Sequence, residues 1–152
     1  MEELFNRTQD FALFLLRIVA GFDFSLHGFQ KVLGWFGGSG LHGGKASGLP
    51  LVGGYIEIIA GTLIVVGLVA RPAAFIASGE MAVAYFKVHA PRAFFPIVNR
   101  GELAVLFCFV FLFLAAVGPG YWSFDRLLSR RRTCPRIAPN TSTQQTRLKK
   151  SA

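Results

Sequence analysis

Two carboxylates stand where carboxylates are expensive. Glu57 lies inside GGYIEIIAGTLIVVGLVA and Glu80 inside AAFIASGEMAVAYFKV. An ionisable side chain at membrane depth is costly, and a role in ligand binding or proton movement is the first reading of one. Other polar groups interrupt neighbouring apolar runs: His27 and Lys31 in the first, Lys87 seven residues after Glu80, and Glu102 at the head of the last. Acids, ammonium groups and an imidazole brought together could bind a small polar ligand or pass protons. The structural alternative is a set of ion pairs that locks helices together and does nothing else. For Glu102 a plainer role exists, because an acid at a helix N-terminus satisfies the dipole.

Other chemistries fit poorly. His27, His42 and His89 form no H-x-x-x-H pair and there is no C-x-x-C, so neither a metal nor a haem site is expected. Ser39 stands where the first glycine of a phosphate-binding G-x-x-x-x-G-K-[ST] loop belongs, and Ala46 replaces its hydroxyl. Cys108 sits in an apolar run and Cys134 in a basic tail, which argues against a disulfide. The net charge of +8 is concentrated after the last apolar run, so a nucleic-acid-binding face is not expected. The run Arg130 to Arg132 reads as a topology signal that also attracts anionic lipid.

These side chains need elements to hold them. The chain has 152 residues, 53% of them hydrophobic, which points to one membrane domain. Residues 1–10 are short and polar, and their acids argue against a cleaved signal peptide. Spans are expected over 11–33, 51–70, 73–89 and 101–117. In the first, Asp23, His27, Gln30 and Lys31 recur at helical spacing and should share a side turned to protein or water. Arg17 is expected to snorkel to the headgroups. Arg71-Pro72 marks the break between the second and third spans, with Pro72 at or next to the first helical position. Residues 34–50 form a glycine-rich loop and 90–100 an irregular one, where Phe94 and Phe95 read as interfacial anchors. Residues 126–152 read as a disordered basic tail.

Lys and Arg set the orientation. An even number of spans puts both termini on one side, and the basic tail makes that side the cytoplasm. At a rise of 1.5 Å per residue, His27 lies roughly 24 Å from the cytoplasmic start of the first span, and Glu57 roughly 9 Å below the outer surface. Glu80 lies roughly 12 Å along the third span. His27, Lys31, Glu57, Glu80, Lys87 and Glu102 should therefore collect in the outer half of the bilayer, with Lys87 pairing Glu80. Small residues flank the acids: Gly53 and Gly61 about Glu57, and Ala73, Ala77 and Ala84 about Glu80. Such stripes let helices approach closely.

Several pieces together resemble the DoxX family of small membrane proteins. They are LLRIVAGFDFSLHGFQK, GGYIEIIAGTLIVVGLVARPAA, EMAVAYFKVHAPRAFF, GELAVLF and GPGYWSFD, in the family's order over residues 15–125. The resemblance implies a four-helix bundle of the inner or plasma membrane with both termini inside. It maps His27 and Lys31 onto the family's H-G-x-x-K. Glu57, Glu80 and Glu102 map onto its helix acids, and His89 onto its H-x-P turn. Some relatives are linked to thiosulfate:quinone oxidation and to a mycobacterial membrane redox assembly. No catalytic role transfers with these residues.

The expectation is therefore an all-α, four-transmembrane-helix bundle over residues 11–125. As a non-carrier subunit of a redox complex it would bind a quinone or a sulfur compound. Glu57 or Glu80 would accept the proton, and His27 or Lys31 would donate a hydrogen bond. With no flavin motif or cluster ligands in the chain, any redox role needs a partner that brings the electron carrier; a protein partner in the membrane or a homo-oligomer is expected. A scaffold with purely structural acids and a small solute or proton transporter are the alternatives.

Overall fold

The structure, a computed structural model, describes residues 2–39 and 44–132. The described residues are helical and contain no strand. Helix α1 (Glu2–Leu33) runs without a break through the polar start of the chain, so the helix begins well before residue 11. A single 3₁₀ turn (Trp35–Gly37) follows. Helix α2 (Leu49–Val66) has Pro50 in its first turn, where the missing N–H is harmless. Helix α3 (Ala70–Ala84) continues as a π-helical turn (Tyr85–His89). The short α4 (Pro96–Asn99) precedes α5 (Glu102–Val117) and α6 (Phe124–Arg132).

The break between α2 and α3 lies before Arg71-Pro72. Gly67 takes a left-handed φ of 74° and closes α2, its N–H reaching Leu63 and Ile64 carbonyls while Leu68 N–H returns to Leu63. That pattern is a Schellman stop, which suits glycine. Val69 is then left-handed as well, at φ 49°, a conformation a β-branched residue resists. Asp125 holds it there. Its Oδ1 accepts from Val69 N–H at 2.8 Å and its Oδ2 from Ala70 N–H at 3.0 Å. The N-cap of α3 is thus supplied from α6, and Pro72 falls at the third helical position.

Helices α1 and α2 pack along each other, α2 packs on α3, and α3 on α5. The first contact is made by glycines. A Cβ on Gly28 would lie 2.6 Å from the Gly54 carbonyl, and one on Gly61 would meet Gly21 O and Ser25 Oγ. Backbones that approach this closely need small residues on both helices. The sequence stripe Gly53–Glu57–Gly61 is divided between neighbours: Gly61 faces α1 and Gly53 faces α3. Phe24 of α1 fills the centre, with its ring 5.7 Å from that of Phe107 and 4.7 Å from that of Phe111 on α5.

The interior is dominated by Ala, Gly and a few Phe, whereas Phe22, Ile59, Phe75, Phe86, Leu106 and Phe109 are exposed. An outer surface of that kind suits hydrocarbon and would associate in water. Residues Arg7–Leu33 of α1 and helix α2 are long and apolar enough to cross a membrane, while α5 is shorter.

Two expectations are corrected here, for Arg17 and for the basic tail. Arg17 does not snorkel; it is 2% exposed and donates to Pro119 O at 2.8 Å and Trp122 O at 2.7 Å, tying down the segment after α5. Asp23 is exposed, and the face of α1 that meets α2 carries Gly21, Ser25 and Gly28. The basic tail opens with α6, a regular helix to Arg132; the rest of that tail, and His42, lie outside the described residues.

Candidate functional site

Lys31 and Glu57 meet across the α1–α2 contact. Lys31 Nζ is 2.6 Å from Glu57 Oε1, with the lysine side chain 23% exposed and the acid 2%. Glycine makes this possible. The lysine stem lies over Gly54, where an added Cβ would be 2.9 Å from Lys31 Cβ. The Lys31 carbonyl also accepts from Ala46 N–H at 2.8 Å, which docks the loop ahead of α2 against the end of α1.

Glu80 reaches the same place from α3. Its Oε1 would be 2.8 Å from a Cβ on Gly53, so its carboxylate rests on the bare backbone of α2, four residues from Glu57. It lies within electrostatic reach of both Glu57 and Lys31. His27, half-buried one turn before Lys31, lies within reach of Glu57 and turns its ring edge-on to Phe107 at 6.2 Å. Oε2 of Glu57 and Oε2 of Glu80 are both buried without a hydrogen-bond partner. Buried polar atoms are normally satisfied, so two orphaned carboxylate oxygens on electrostatically coupled acids call for an explanation. One ammonium faces two acids. The charge balance leaves room for a proton, or for a ligand that donates hydrogen bonds.

The structure brings together His27, Lys31, Glu57 and Glu80. It does not bring Lys87 or Glu102 to them. Lys87 is exposed and forms no ion pair with Glu80 among the described residues. The π turn explains this: it advances less per residue around the axis than an α-helix, so the seven-residue spacing no longer returns to one face. Glu102 is exposed in the first turn of α5, where it meets the helix dipole.

His89 works in a different place. Its Nδ1 is 3.1 Å from the Asn99 carbonyl and its ring stacks on Tyr85. Asn99, missed in the sequence, is the centre of this cap. It is buried, donates to Ala93 O at 2.7 Å and accepts from Gly101 N–H at 2.7 Å, while Tyr85 Oη donates to Phe94 O. The N-cap acid Asp125 was missed too. The signal for it was present: an Asp closing GPGYWSFD, with a helix start elsewhere that lacked any Ser, Thr, Asp or Asn cap.

The DoxX family model matches residues 12–90, which hold His27, Lys31, Glu57 and Glu80. An uncharacterized protein of Haemophilus influenzae is 42% identical over 124 residues, covering 79% of this chain and 92% of the relative. An uncharacterized membrane protein of Mycobacterium tuberculosis is 31% identical over 137 residues, covering 78% and 82% respectively. No solved structure matches. On the family match and these two relatives, the chain is a membrane protein belonging to the DoxX family.

Proposed function

We propose that this protein crosses the bacterial inner membrane four times, with both termini cytoplasmic. Helix α3 and its π turn cover residues 70–89, about 30 Å at the helical rise, which is enough to span. Helix α5 is the shortest crossing, consistent with Gly118-Pro119-Gly120 stopping it. In this frame the Lys31–Glu57–Glu80 cluster faces the outer half of the bilayer.

We further propose that the cluster is a binding site for a quinone or a sulfur compound, in service of a membrane redox complex. The observation that carries this is the pair of buried, unpartnered carboxylate oxygens beside a single ammonium. A hydroxyl of a reduced quinone, or a thiol, would donate to the free oxygen of Glu57 or Glu80. Lys31 and His27 would donate to the ligand's carbonyl or sulfur oxygen. Electron transfer belongs to a partner that holds the carrier.

The test is purification from native membrane in mild detergent, followed by lipid extraction and assay of bound quinone and sulfur species. Wild type is expected to retain one of them, and Glu57→Gln and Glu80→Gln to lose it while still assembling. Absence of both from the wild-type extract, with normal phenotype in Glu57→Gln cells, sinks the ligand reading and favours a scaffold with structural acids. A substrate-dependent flux in proteoliposomes would favour a transporter instead.

A further inference from the structure

A cavity of about 520 Å³ opens at the far end of the bundle from the acids, between α1, the end of α2 and α6. Its walls are apolar, including Phe14, Ile18, Val65, Val66 and Leu127. The charged groups that line it are both cations, Arg17 and Arg126. Tyr121 and Trp122 stand at its rim, and the Arg126 guanidinium sits 4.0 Å above the Tyr121 ring. Arg17 is 2% exposed, and although both Nη groups are hydrogen-bonded, its Nε is buried with no partner. Asp125 lies within electrostatic reach of Arg17 and also accepts from the backbone at the start of α3.

We propose that this cavity binds an anionic phospholipid, with the phosphate between Arg17 and Arg126 and an acyl chain along Phe14, Ile18 and Val66. The volume falls within the range of about 300–1,000 Å³ typical of small-molecule sites. An anion fits because the charged side chains lining the cavity are Arg17 and Arg126 and the buried Arg17 Nε–H lacks an acceptor. A lipid, not a free anion, is required because the walls are hydrocarbon and the rim carries the aromatic residues of a membrane interface. The site is distinct from the Glu57–Glu80 cluster and does not depend on its role.

The test is native mass spectrometry of the full-length protein, delipidated in neutral detergent and titrated with defined additives. Dioleoyl phosphatidylglycerol is expected to bind roughly fivefold or more tightly than dioleoyl phosphatidylcholine, the gain from one or two basic contacts. Glycerol 3-phosphate, the head without tails, is expected to bind far more weakly than either lipid. Arg126→Gln, at an exposed position, should remove the preference without unfolding the protein. Val66→Trp should fill the cavity and lower binding of both lipids. Equal binding of the two lipids to wild type overturns the proposal. So does glycerol 3-phosphate binding as tightly as phosphatidylglycerol, an unchanged preference in Arg126→Gln, or unchanged lipid binding in Val66→Trp.

Discussion

Lys31 sits 2.6 Å from one of its two acidic neighbours, so the two glutamates are not equivalent. Replacing Glu57 leaves the ammonium half-buried beside no hydrogen-bonded acid. A fully buried pair broken this way loses roughly 3–5 kcal/mol; with the lysine partly exposed, Glu57→Gln is expected to cost about 2 kcal/mol. Glu80→Gln removes a like charge and leaves the pair intact, so stability should be unchanged or higher. Parallel denaturation of the two variants checks this, and an equal loss in both would contradict the assigned pairing. The sequence spacing alone pointed the other way, with Lys87 as the partner of Glu80. Gly53→Ala is a sharper probe. The new methyl would come within 2.8 Å of Glu80 Oε1, the end of a flexible side chain that can swing away. Loss of bound ligand with nearly unchanged stability is the expected outcome, read from quinone and sulfur content beside the unfolding curve.

The strongest constraints between elements are the α1–α2 glycine contact and the clamp at the end of α2. Gly61→Ala would press a methyl into Gly21 O and the Ser25 hydroxyl, where neither backbone can retreat. Overpacking of this kind costs about 1–3 kcal/mol, and denaturation of the purified variant measures it. At the clamp, Asp125→Ala removes the borrowed N-cap of α3, for an expected loss of about 1 kcal/mol. Val69→Gly relieves a left-handed valine and should recover part of that loss when combined with it. If Asp125→Ala leaves thermal stability untouched, the cap contributes nothing. Arg17 belongs to the same assembly, because Gly67 and the Pro119 and Trp122 carbonyls surround its guanidinium.

Across the whole molecule, the bundle has an outside that is more bulky and apolar than its inside. Small residues bring the helices close around Phe24, Phe107 and Phe111, while many of the large Phe, Leu, Ile and Val residues that a water-soluble protein would bury point outward. The proposed topology has a direct readout. In a background lacking Cys108 and Cys134, single cysteines at Ser39 and Arg92 are expected to react with an impermeant maleimide applied from the periplasm. Cysteines at Arg7 and Arg126 should react only after the membrane is opened. Labelling of position 126 from outside would reverse the orientation. Protection of position 39 or of position 92 would remove the two crossings that flank it, and protection of both would remove all four.

The sequence by itself determined the composition of the problem. Hydrophobic runs marked every long helix, since burial in lipid demands apolar length whatever the packing. Glycine-rich stripes announced close helix contacts, and the cost of charge in hydrocarbon singled out Glu57 and Glu80. Only the tertiary structure decided which charges meet. A π turn rotated Lys87 away from Glu80. The α1–α2 contact runs through Gly21, Ser25 and Gly28, which left Asp23 outside. Arg17 went inward because carbonyls from a segment some hundred residues later were there to receive it. Angular phase along a helix and long-range partners depend on how the elements are placed, and one chain read in a line carries no direct record of that placement.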